Sequence, residues 1–181
     1  VGAKYAVAMT SNTHAMDLVI KALEIKNKDI INPTISFLTT GVVALWNDCS
    51  TNIVDVEKDT LCICPDDVKR NLKKDTEVII AVNMAGVPAK IDEIRSFYDG
   101  FIIEDCAHSC YTPGAGTKGD VAIWSFQAVK TMPIFDGGMV TTNDESLYIK
   151  LKNMTWLGIS STYDRVNQKG TSYNWDYQVD I

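Results

Sequence analysis

Short runs of aliphatic and β-branched residues recur along this chain, separated by segments whose apolar residues fall at helical spacing. That alternation constrains the fold most, because strands interleaved with helices pack as a mostly parallel sheet with helices on its faces. Val78-Ile79-Ile80-Ala81-Val82 is apolar throughout, the pattern of a strand buried on both sides. Ile30-Ile31, Asn52 to Val56, Phe101 to Glu104, Val121 to Phe126 and Gly138 to Thr142 read as further strands. Helices are expected over Thr13 to Leu23, Leu38 to Trp46, Pro65 to about Leu72, Ile91 to Tyr98 and Glu145 to Trp156. Pro65 suits the first turn of its helix, where its missing N–H costs nothing.

Composition closes several functional classes. A formal net charge of −6, with no block of basic residues among aromatics, argues against a nucleic-acid partner. No apolar run approaches the roughly 18 residues of a membrane span. The five cysteines are an odd count without a secretory leader, so free thiols in a cytoplasmic protein are expected. Cys62-Ile63-Cys64 is spaced too tightly for a zinc knuckle and has no second Cys/His pair, so no metal is expected. The chain starts Val1-Gly2-Ala3-Lys4 without Met and its motifs begin almost at once, so a piece of a longer protein is expected.

In open α/β sheets, reactive groups collect beyond the carboxyl ends of the strands. Three polar clusters stand at such places: Thr10 to Thr13, Asp105 to His108, and Ser125 to Lys130. Lys130 follows an apolar strand, and an amine that loses hydration there has a lowered pKa and becomes a nucleophile. Taken alone it reads as a surface lysine on a loop, since lysine is almost always exposed. Asp105 directly follows Phe101-Ile102-Ile103-Glu104; it can face a cofactor's ring nitrogen or simply cap a turn. Glu104 lies on the opposite face of that strand and is not its catalytic partner. Thr10-Ser11-Asn12-Thr13 precedes a helix, where free N–H groups and hydroxyls bind phosphate or serve as an ordinary cap. His14 reads as a surface or contact residue, and Trp46, Trp124, Trp156 and Trp175 as core or interface aromatics.

In this order and spacing the clusters resemble the DegT/StrS family of PLP-dependent aminotransferases, from about Lys4 to Gln178. The resemblance rests on Ser11-Asn12-Thr13, Pro33-Thr34-Ile35-Ser36-Phe37 and Glu104-Asp105-Cys106-Ala107-His108. It continues through Ser125-Phe126-Gln127-Ala128-Val129-Lys130, Asp136-Gly137-Gly138 and Tyr173-Asn174-Trp175. The sequence departs from the family pattern at Asn12, where Gly or Ala is common, and at Phe135, where Gly usually stands. It departs again at Asp176-Tyr177, where Arg-Met is frequent.

The resemblance implies a three-layer α/β/α sandwich with a mostly parallel sheet, the large domain of the type I PLP-dependent transferase fold. Residues 1–181 would be that PLP-binding domain, without the family's N-terminal segment and C-terminal small domain. Lys130 would form the Schiff base with pyridoxal 5′-phosphate (PLP) and move the proton, and Asp105 would pair with the pyridinium nitrogen. Phe37 would stack on the ring, and His108 would pack near the ring and its phenolic oxygen. Thr13, the backbone at Asn12, and Ser125 would hold the phosphate, joined by Asn174 from the neighbouring subunit of a homodimer. The implied reaction passes an amino group from glutamate to a nucleotide-linked keto-sugar in two half-reactions. Two other activities fit the same fold: a PLP-dependent sugar dehydratase, whose family members carry His in place of Lys130, and a non-catalytic regulatory protein.

Overall fold

The computed structural model describes residues 1–156 and 158. Seven strands form one sheet: β1 (Tyr5–Met9), β2 (Asp29–Pro33), β3 (Ser50–Val54), β4 (Thr76–Val82), β5 (Phe101–Asp105), β6 (Val121–Ser125) and β7 (Gly138–Thr142). Their spatial order is β1-β7-β6-β5-β4-β2-β3. From β6 through β3 every pairing is parallel, while β7 runs antiparallel between β1 and β6. Five helices connect the strands: α1 (Asn12–Ala22), α2 (Leu38–Trp46), α3 (Pro65–Asn71), α4 (Ile91–Arg95) and α5 (Glu145–Met154).

Alternation along the central strands supplies both faces of the sheet. Val78, Ile80, Ile103, Val121 and Ile123 pack with Ala15, Met16, Val19 and Ile20 of α1, Val43 and Ala44 of α2, and Leu147 and Leu151 of α5. Ile79, Ala81 and Ile102 point the other way, onto Val68 of α3 and Ile91 and Ile94 of α4. The two apolar layers make the chain a three-layer α/β/α sandwich, as expected. Because helices cover both faces, the central strands are apolar at nearly every position rather than at alternate ones.

The expected elements are present with shifted ends. The strand expected from Asn52 to Val56 lies two residues earlier, at Ser50–Val54. The helix expected to run to Tyr98 stops at Arg95, and the last ends at Met154 rather than Trp156. The edge strand Tyr5–Met9 has no counterpart in the sequence reading; it has a single buried residue, Val7, and so little apolar signal. Of the tryptophans, Trp124 is a core residue whose Nε1 donates to Thr141 Oγ1 at 2.9 Å, whereas Trp46 and Trp156 are exposed. Trp175 lies outside the described residues. All five cysteines are free thiols.

At the end of the sheet remote from the strand carboxyl termini, Asp29 is completely buried. It accepts from Lys73 Nζ at 2.6 Å, Asn52 Nδ2 and Thr76 Oγ1 at 2.9 Å, and Ser50 Oγ at 3.0 Å, tying the starts of β2, β3 and β4 together. Burial works against its charge, but these four partners hold the carboxyl below its ordinary value. A depressed value stabilises the folded chain fully above about pH 4, and the contribution is lost as pH falls through the folded-state value. Replacing Asp29 by Ala is expected to cost about 2–4 kcal/mol near neutral pH, from the orphaned partners. Urea unfolding at pH 7 and at pH 3 checks this: the gap between wild type and variant should narrow in acid.

Candidate active site

The carboxyl ends of β1, β4, β5 and β6, with the start of β7, surround a cavity of about 560 Å³. Asn12, Thr13, Phe37, Asp105, His108, Ser125 and Lys130 all line it. These residues come from four separate stretches of chain, and the sheet brings them to one edge. Asn174 lies outside the described residues.

The phosphate-type wall is the start of α1. Ser11 caps the helix from an extended backbone, its Oγ accepting from His14 N at 3.1 Å. The N–H groups of Asn12 and Thr13 fall in the first turn, where an α-helix provides no acceptor of its own, and the helix dipole adds positive potential there. Thr13 Oγ1 shares a 3.0 Å hydrogen bond with Thr39 Oγ1 of α2, fixing its rotamer. His14 is exposed and its Nδ1 is bonded to Thr10 Oγ1, which keeps it away from the cavity lining.

Asp105, the last residue of β5, is only 4% exposed. Its Oδ1 accepts from Asn12 Nδ2 and from Ala107 N, each at 3.0 Å, whereas Oδ2 accepts nothing among the described residues. Burial, the largest effect, raises its pKa above the ordinary value; the Ala107 and Asn12 donors and the Lys130 charge pull against that. His108 lies in the loop after β5, and Ala85 N donates to its Nδ1 at 3.3 Å. Burial and the neighbouring Lys130 charge lower its pKa, although Asp105 opposes them. The ring is therefore neutral at pH 7, with its proton on Nε2.

Glu104 faces the other side of the sheet, as the alternation requires. Its Oε1 accepts from Asn83 Nδ2 at 2.8 Å and Gly116 N at 2.7 Å; its Oε2 accepts from Lys118 N at 3.0 Å and Gly119 N at 3.2 Å. This buried carboxylate pins the long loop between β5 and β6, whose first turn carries His108. Its role is architectural.

Lys130 is presented by the connection between β6 and β7. Phe126 N donates to Gly137 O, Ile134 N to Phe126 O and Ala128 N to Phe135 O, so the two strands continue as a narrow ladder beyond the sheet. A turn closed by Lys130 N donating to Gln127 O places the lysine at its tip, half-buried. Ser125 ends β6 below it, opposite Gly138.

The acidic-Gly-Gly start of β7 has a steric reason. A Cβ on Gly138 would lie 2.4 Å from the carbonyl carbon and oxygen of Ser11 and 2.6 Å from Asn12 N, so only glycine lets β7 press against the start of α1. Phe135 adopts φ +73°, a left-handed backbone that costs a side-chain-bearing residue about 1–2 kcal/mol. Glycine, common here in the family that the sequence resembles, would carry no such strain.

Val82, Met84, Gln127, Val129 and Asp136 also line the cavity; the sequence placed the last three in motifs but assigned none of the five a role. Val82 and Met84 follow β4, whose carboxyl end obeys the same placement rule, but they lack the polar chemistry by which the other clusters were found.

Phe135 is 90% exposed, so exchanging it for Gly removes strain without losing packing. Phe135→Gly is expected to raise stability by up to about 1 kcal/mol, read as a higher urea midpoint. Gly138→Ala should lower it by about 1–3 kcal/mol, because the start of α1 must move.

Comparison with known proteins places this geometry. The model of the DegT/DnrJ/EryC1/StrS aminotransferase family matches residues 1–177. An uncharacterized protein of Methanocaldococcus jannaschii is 34% identical over 188 residues, covering 99% of this chain and 48% of its own length. The crystal structure of an aminotransferase from Psychrobacter cryohalolentis superposes with a TM-score of 0.90 at 29% identity, covering 99% of this chain and 47% of that one. A sugar aminotransferase from Micromonospora echinospora gives 0.84 at 26% identity, with 99% and 51% covered. A GDP-4-keto-6-deoxymannose-3-dehydratase gives 0.82 at 28%, with 90% and 46% covered. The chain thus spans about half the length of the proteins it matches. Its sheet is that of the type I PLP-dependent transferase fold, and the chain belongs to the DegT/DnrJ/EryC1/StrS aminotransferase family.

Proposed function

We propose that residues 1–181 are the PLP-binding large domain of a cytoplasmic, homodimeric aminotransferase that passes an amino group, from glutamate, to a nucleotide-linked keto-sugar. The observation that carries this reading is Asp105: a carboxylate at the cavity wall whose Oδ2 accepts from no described residue, on a cavity that also holds an amine and a helix N-terminus. A carboxylate oxygen left open to the cavity suits a cationic N–H, and a protonated pyridine supplies one. The donors at the start of α1 suit a phosphate, and Lys130 suits an aldehyde. The residues present therefore fit PLP.

Bound PLP supplies an aldehyde that condenses with amines and a ring that withdraws electrons from the adjoining carbon. Each side chain has a task that follows from its position. Asp105 Oδ2 accepts the ring N–H and keeps the ring protonated. The N–H groups of Asn12 and Thr13, with the Ser125 hydroxyl, anchor the phosphate. Phe37, 74% exposed in this chain, offers a flat face to the ring. Neutral His108 donates from Nε2 toward the phenolic oxygen. Lys130 Nζ would be the nucleophile that attaches the cofactor's aldehyde, and as a free amine it would hold and move the proton exchanged during amino transfer. Asn174 is assigned the neighbouring subunit's phosphate by resemblance.

Sugar amination is favoured over dehydration by Lys130, because the dehydratases of this fold carry His at the lysine position. The relatives support the substrate class: one is a sugar aminotransferase, and another was crystallised in the presence of its TDP-sugar product.

Purified protein saturated with PLP should absorb at roughly 400–430 nm through the lysine–cofactor bond. The band should be absent from Lys130→Ala and should fall when glutamate is added. Wild-type protein without such a band would remove the central assignment. A band indifferent to every amino donor would leave a cofactor-binding protein without transaminase activity.

A further inference from the structure

The side chain of Asn12 does something that its place in a phosphate-binding turn does not require. As the first residue of α1 it offers its backbone N–H to the cavity, yet its amide reaches across 93 residues of sequence to Asp105. An ionised carboxylate can only accept, so the amide must present Nδ2 to it. Asn12 Nδ2 and Ala107 N both donate to Oδ1 at 3.0 Å, and no described residue donates to Oδ2. The Ala107 bond is local, two residues along the chain, and by itself leaves the carboxylate free to swing about a broad terminal torsion. The second donor, arriving from another element, removes that freedom.

We propose that Asn12 is a positioning residue, whose amide locks Asp105 Oδ1 so that Oδ2 is left as the acceptor for the cofactor's ring nitrogen. The inference rests on the PLP reading given above. Gly or Ala at this position, common in the family, has no group that reaches the carboxylate, so the device belongs to this sequence. It joins two parts of the cavity through one residue: the backbone of Asn12 faces the phosphate, and its side chain orients the group that faces the ring nitrogen. The spacing between those subsites is thereby set by a single rigid link.

The same bond bears on the charge of Asp105. Burial favours the protonated acid, whereas the Ala107 N–H, the Asn12 amide and the Lys130 charge favour the anion. The titratable groups facing Asp105 are His108 on the following turn and Lys130 beyond β6, with the Cys106 thiol adjacent. Glu104 lies on the other face of β5, the first turn of α1 carries no acidic residue, and the flanking strands present Val82 and Ile123 beside it. Asn12 is thus the one neutral side chain among the described residues that donates to this carboxylate.

Two variants test the role. Asn12→Ala removes the amide but keeps the backbone N–H for the phosphate. Asn12→Asp keeps the shape but replaces the donor by an acceptor that repels Asp105. Carbon-13 NMR titration of Asp105 without cofactor should show its midpoint rising by about one pH unit in Asn12→Ala, and further in Asn12→Asp. PLP dissociation constants, from the Lys130-dependent absorbance band, should rise roughly tenfold in both. Weakened binding and a raised Asp105 midpoint in Asn12→Ala, with an unchanged circular dichroism spectrum, separate positioning from a structural role at the helix start. If wild type shows the band but both variants keep the wild-type Asp105 midpoint and PLP affinity, the positioning role is wrong and the PLP reading stands. If wild type shows no band, both fall.

Discussion

Holding a carboxylate at the end of β5, 4% exposed, carries a desolvation cost that the surrounding elements are arranged to offset. Asp105 is reached by a donor from its own loop and by another from the start of α1, and cationic Lys130 stands across the cavity. These groups belong to different elements, so the offset to that cost exists only when the sheet is assembled. The dependence also runs the other way, because the side chain that links α1 to β5 ties the cavity walls together.

A second constraint is the insertion of β7. This antiparallel strand separates β1 from the parallel sheet, and it reaches α1 only because Gly138 lacks a side chain. Its approach seats the helix start that supplies anion-binding N–H groups. The ladder leading into β7 supplies the tip on which Lys130 stands. One connection therefore places both the amine and, through Gly138, the wall opposite. The left-handed backbone of Phe135 lies in that connection, and the strain there is borne by the hydrogen bonds around it.

Most of the fold was legible because its signal is local. A strand buried on two faces must be apolar throughout, as in Val78 to Val82, and a helix packed on a sheet must repeat its apolar residues, as in α1. What stayed hidden had weak local signal. The edge strand Tyr5–Met9 buries only Val7, and α4 stops at Arg95, where apolar Phe97 and Tyr98 continue beyond the helix. In the site, polar residues at strand ends were readable, whereas Val82 and Met84 were not, since apolar lining carries no chemical signature.

By itself the sequence determined the layered α/β class, the strands and helices within a few residues, and the order of the motifs that mark the family. Only the tertiary structure decided which oxygen of Asp105 is free, that Asn12 holds the other, and which loop N–H groups Glu104 accepts from. The reason is physical: strand and helix signals are set by neighbours a few residues away. A hydrogen bond across 93 residues exists only once β5 and α1 meet at one edge of the sheet.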